Sequence, residues 1–284
     1  MKSRSRLPPS SVLDVFAILL KAAFYAGSLT AVGVGVHTAI GMPIKSLWLR
    51  VAAHGLVLAL ALRLLSLNAE IIGGWGQVMD VSMFSWVWPS VRAQAVALGL
   101  GAVLLVAASV SRPRVLAGLG AIVTAAGFGL AGHTQALEGS SLASFAVAFH
   151  VLVAGFWVLA PVVLWPRSGA DVRALAVRLD RFSRLAVWTV PMMVALGLWL
   201  SVQISGSIAS LFQTAYGRLL LLKLGVASVA LGIGAFNKLY VTTKLTVDGA
   251  GAIRHLRWAL LADVVLFSIA IAAIAAATSV FGPH

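Results

Sequence analysis

L142-A-S-F-A-V-A-F-H-V-L-V-A-G-F-W-V-L-A-P-V-V-L-W165 carries one ionisable side chain, His150, in an otherwise apolar run. As a helix it is about 36 Å long, enough to cross the ~30 Å hydrocarbon core of a bilayer. Runs of this kind recur along all 284 residues; 61% of the chain is hydrophobic and only 10% charged. Mean hydropathy is +1.01. A soluble domain of this length needs far more polar surface. The pattern therefore predicts an all-α polytopic membrane protein, a single membrane domain over 1–284 with no room for a sizeable soluble domain.

Eight spans are expected. They cover roughly Val12 to Ile40, Leu47 to Leu67, Val91 to Val110, Val115 to Gly132, Leu142 to Trp165, Leu185 to Ile204, Gly217 to Val241 and Trp258 to Phe281. Two connections, Asn68–Ser90 and Ser205–Tyr216, are rich in Gly, Ser and aromatics and free of basic residues. They suit short interfacial or re-entrant helices on the outer face, where Trp and Tyr sit well.

Basic residues set the orientation. Net charge is +13, from 21 Lys and Arg against 8 Asp and Glu. No aromatic-interleaved basic patch argues for nucleic acid; the excess reads as loops retained on the cytoplasmic side. The segments Arg167–Arg184, Lys238–Arg257 and Ser111–Arg114 fall there. Alternation then puts Gly132–Ser141 and the C-terminus outside, together with the basic tail Met1–Arg6. A ninth span through Ile71–Trp88 would bring that tail inside, but Glu70, Gln77 and Asp80 make a poor lipid-facing helix.

A weak internal repeat runs at an offset of about 129 residues, F16-A-I-L-L-K21 echoing F145-A-V-A-F-H150. It suggests two parallel four-helix halves, 1–132 and 133–284, related by an axis along the membrane normal. The run G27-S-L-T-A-V-G-V-G35 reads as small-residue helix packing rather than a nucleotide loop.

The chain has no cysteine, so disulfides and thiolate chemistry are excluded. Neither H-E-x-x-H nor G-x-x-x-x-G-K-[ST] occurs, and no acid pair has a useful spacing. A carrier is expected, not an enzyme. Ionisable groups inside spans are costly, so they are the first functional candidates. They are Lys21, His54, Arg63, His150, Lys223 and Asp263, with Arg50 and Arg92 near span ends. The arginines can snorkel to the interface. Asp263 must pair with a cation, stay protonated or line a wet cavity.

His133 stands at the outer mouth of the fourth span, and His150 roughly 13 Å below the outer face. Joined by a short loop, they make a descending pair for a metal ion. Met192 and Met193 follow Pro191 in the sixth span. Met79 and Met83, spaced i, i+4 beside Asp80, would share one helix face as an outer capture site. Thioether with imidazole selects copper, above all Cu(I). Each pair also reads as ordinary core, since Met is a common filler.

Gly132-His133, then H150-V-L-V-A-G-F-W157, R181-F-S-R-L-A186 and Y216-G-R-L-L-L-L-K223 together resemble the copper resistance protein D family. So do Asn237-Lys238, Asp263 and the terminal Gly282 and Pro283, although the family leads one to expect Glu at Asp263. The resemblance covers roughly His133 to Pro283. It implies copper handling at the bacterial inner membrane, usually uptake from the periplasm, with a periplasmic copper-binding protein as partner. On that reading His133, His150, Met192 and Met193 carry the copper ion, while Lys21, Arg92, Lys223 and Asp263 set pathway charge or gate it. Two rivals are a haem-binding membrane electron carrier and a non-transporting copper delivery or assembly component. Poor relative depth of His54, His133 and His150 counts against the haem reading.

Overall fold

The computed structural model describes residues 12–72, 81–111, 114–131, 140–167, 171–205, 207–244 and 249–280. Among the described residues every regular element is a helix. In chain order they are α1 (Val12–Ala39), α2 (Ser46–Ile72), α3 (Val81–Ser111), α4 (Arg114–Gly129) and α5 (Ser140–Val158). There follow α6 (Ala160–Leu164), α7 (Val172–Ser205), α8 (Ile208–Gln213), α9 (Ala215–Lys244) and α10 (Gly249–Val280). Seven stretches are long and apolar enough to cross a bilayer: those in α1, α2, α3, the α5–α6 pair, α7, α9 and α10. This is a multi-pass membrane protein. The fourth expected span, Val115 to Gly132, falls on α4, which at 16 residues is about 24 Å long.

Between the second and third spans the structure differs from expectation. The stretch Val81–Ser90 is no separate interfacial helix; it is the opening of α3, which runs unbroken through Pro89. Near a bilayer the backbone must satisfy its own polar groups, and continuing the helix does so. Ser85 and Ser90 add hydroxyl bonds to the carbonyls of Ser82 and Val87, at 2.6 and 2.7 Å. Of the ninth-span alternative, Ile71–Trp88, residues 73–80 lie outside the described residues. In the other connection α8 is a short helix as expected, capped by Ser207, whose Oγ accepts from the Ser210 N–H at 3.1 Å. In the fifth span the helix breaks at Leu159 and restarts as α6, with Pro161 in its first turn where a missing N–H costs nothing.

Packing centres on α1. The pairs α1–α2, α2–α3, α3–α4 and α4–α1 close one ring. A second ring runs α1–α5–α7–α9–α10 and back to α1. The two rings thus share α1, which touches both α5 and α10. Its glycines make this possible, as the small-residue reading of Gly27–Gly35 anticipates. A Cβ at Gly27 would lie 3.0 Å from the Ala59 Cβ of α2. One at Gly33 would lie 2.7 Å from the Leu159 Cβ, after α5, and one at Gly35 2.9 Å from the Ala121 Cβ of α4. Three missing methyl groups admit three neighbours at close range.

Charged residues collect at one end of the bundle, around the α1–α2 turn, the start of α4, the α6–α7 corner and the start of α10. There α1 ends with Gly41 at φ 78°. Met42 N–H bonds the His37 carbonyl at 2.8 Å and Gly41 N–H the Thr38 carbonyl at 3.0 Å, the Schellman closure. Three arginines tie this end by donating to loop or helix-end carbonyls. Arg181 reaches Gly41 O at 2.8 Å, Arg178 reaches Val163 O at 3.2 Å, and Arg257 reaches Pro166 O at 3.1 Å. At the opposite end Lys21 of α1 donates to Thr278 O of α10 at 2.8 Å, and Tyr25 OH stands 3.3 Å from Thr278 Oγ1.

Candidate functional site

The second ring holds most of the buried polar groups outside the α1–α4 bundle. His150 lies on α5 facing α7: a Cβ placed on Gly197 would sit 3.8 Å from the imidazole Cε1 and 3.9 Å from Leu224 of α9. Glycine at 197 therefore leaves room for the ring where three helices meet. The His150 Nδ1 is buried and has no hydrogen-bond partner among the described residues. Lys223 of α9 is near enough to act on it electrostatically. So the structure brings together His150 and Lys223, which the sequence separates by more than seventy positions.

Met193 lies one turn before Gly197, on the same face of α7. It is half-buried and packs on the main apolar core. Met192 points elsewhere, with 48% of its surface exposed. Of the two methionines only Met193 packs on the core. Asp263 of α10 is 8% exposed, and its Oδ1 has no hydrogen-bond partner among the described residues. The cation pair that was one of its three sequence-based options is not formed there. Lys21 is buried and bonded to Thr278 O. Arg92 is exposed on α3, a helix that packs on α2 and α4, away from His150. His54 is exposed on α2, its Nδ1 donating to Arg50 O at 2.7 Å. Arg63 bonds Ser66 Oγ at 3.0 Å. His133, Met79, Asp80 and the Met83 side chain lie outside the described residues.

One residue of the site escapes the sequence reading. His37, in the last turn of α1, is wholly buried. Its Nε2 donates to the Phe156 carbonyl at 2.9 Å, in the last turn of α5, where carbonyls lose their intrahelical partners. With the proton on Nε2, the unpartnered Nδ1 carries a lone pair. The ring stacks on Phe156 at 5.0 Å and on Phe182 of α7 at 6.3 Å. Trp157 stands edge-on to Phe182 at 5.2 Å, and its six-membered ring lies 3.6 Å from where Gly234 of α9 would carry a Cβ. The four rings fill the space between α1, α5 and α7 about 9 Å along α5 from His150. The signal was present in the sequence: a lone imidazole in an apolar run, as at His150.

Chemically, the arrangement offers two imidazoles at different depths and one inward thioether. Among the described residues no three His, Asp or Glu groups converge on a metal position. Residues 176–277, from α7 into α10, match the family model described as Copper resistance protein D. That stretch includes Met193, Gly197, Lys223 and Asp263; His150 precedes it. No curated protein and no solved structure matches the chain.

Proposed function

Since residues 176–277 match the family model described as Copper resistance protein D, we propose that the chain is a member of that family and carries copper ions inward across the bacterial inner membrane through its second ring of helices. The family match supports copper handling at a membrane; inward direction follows from the family resemblance of the sequence. In this reading His133 takes the ion at the outer mouth, with Met79, Asp80 and Met83 as a further capture set. His150 and Met193 then hold it in mid-membrane. Imidazole and thioether are soft enough for Cu(I). The carrying observation is His150 itself: a buried Nδ1 without a hydrogen-bond partner among the described residues, facing a glycine where α5, α7 and α9 meet.

Lys223 sits beside this position and opposes a cation there, so it limits how long the ion stays. Below, the His37, Phe156, Trp157 and Phe182 rings close the way to the basic end and must shift for passage. Asp263 completes the charged lining, and a periplasmic copper-binding protein supplies the ion. Copper accumulation in cells carrying the His133→Ala, His150→Ala double substitution tests the reading. A large fall is expected; wild-type accumulation sinks it. Copper flux in proteoliposomes separates a transporter from a delivery component, which gives none.

A further inference from the structure

At the basic end a cleft opens between the α1–α2 turn and the α6–α7 corner. Lys45, Arg167 and Arg178 line its mouth, and Trp48, Leu159 and Val162 are among its apolar walls. The Arg178 guanidinium is held in place by its bond to Val163 O, and Arg167 is close enough to repel it. Among the described residues no carboxylate answers these three cations. Asp171 accepts from the Arg173 N–H at 2.8 Å, and Asp180 pairs with Arg184 at 3.0 Å. Two guanidinium groups and an ammonium gathered without a counter-charge form a strong phosphate-binding constellation.

We propose that this cleft binds one anionic diacyl phospholipid of the leaflet at the basic end. The cations take the phosphate, and an acyl chain follows the apolar wall. That wall argues for a lipid over free phosphate. Trp48 and Val162 are 42% and 48% exposed, so the cleft runs out onto the apolar outer surface of the bundle. A soluble phosphate would use the cations alone. Basic pockets between membrane helices on the cytoplasmic side bind acidic headgroups for this reason.

The test uses the full chain, purified in neutral detergent and studied by native mass spectrometry with added phosphatidylglycerol, phosphatidylcholine or inorganic phosphate. Phosphatidylglycerol is expected to bind one per chain and phosphatidylcholine not. The Lys45→Gln, Arg167→Gln double variant should weaken phosphatidylglycerol at least about tenfold. Arg184→Gln, which removes a cation already paired with Asp180, should leave it unchanged. If the double variant does not fold, Arg167→Gln alone suffices and should weaken binding about fivefold. Equal retention of the two lipids, unchanged binding in the variants, or displacement of the lipid by millimolar phosphate overturns the proposal; the last outcome assigns the cleft to free phosphate.

Discussion

Gly197 of α7 faces His150 of α5 so closely that a methyl group at 197 would stand 3.8 Å from the imidazole Cε1. That distance is ordinary contact, so Gly197→Ala should leave copper accumulation near wild type. Gly197→Leu, by contrast, must push the imidazole or α7 aside. Overpacking of this size costs about 1–3 kcal/mol, and copper accumulation should fall about tenfold. A wild-type rate in Gly197→Leu removes His150 from the path.

The α1–α5 crossing is close. A Cβ on Gly33 would stand 2.7 Å from the Leu159 Cβ, and one on Gly155 2.8 Å from the Val32 Cβ. Gly33→Ala should destabilise by about 1–3 kcal/mol. Gly99→Ala, with nothing within 4 Å, should be neutral or stabilise by up to about 1 kcal/mol. Thermal unfolding in detergent, followed by helical circular dichroism, reads both.

His37 should matter to stability whatever its part in transport. His37→Ala removes a buried ring and its bond to Phe156 O, at a cost of about 2–4 kcal/mol. His37→Phe restores the stack but leaves the carbonyl unbonded, at about 1–3 kcal/mol. Comparing the two in denaturant separates stacking from hydrogen bonding.

Lys21 distinguishes a structural tie from a charge in the pathway. Lys21→Met breaks the bond to Thr278 O that joins α1 to α10. Unfolding should move down by about 1–3 kcal/mol, with copper flux per folded protein unchanged. A flux change at unaltered stability would instead give Lys21 the gating part.

Lys223→Met removes the cation that acts on His150. Copper retained by purified protein should rise about tenfold, an electrostatic effect of roughly 1–2 kcal/mol at close range. The same variant should release copper more slowly in proteoliposomes. Unchanged retention means that copper does not rest near His150.

Much of the fold was legible in the sequence because hydrocarbon imposes strict terms. Every buried backbone group must bond within its own segment, so long apolar runs become helices whatever their neighbours. The glycine run of α1 was legible as packing for a similar reason: only missing side chains admit close helices. The extent of α3 was not, because Trp, Ser and Pro in Val81–Ser90 resemble an interfacial connection by composition. Continuity of the backbone bonds decided otherwise.

The candidate site was half legible. His150, Lys223 and Asp263 stand out because an ionisable group in an apolar run is costly. Their spatial relations did not, since period and composition carry no information on which helix faces which. Sequence alone therefore determined an all-helical membrane chain, a basic end, and a set of ionisable groups within its apolar runs. Tertiary structure alone decided that α1 serves both rings, that Met193 packs inward while Met192 does not, and that buried His37 bonds the Phe156 carbonyl and stacks on Phe156 and Phe182. The physical reason is that helix formation in a bilayer is a local demand of the backbone, whereas the company a side chain keeps depends on how close two helices can approach.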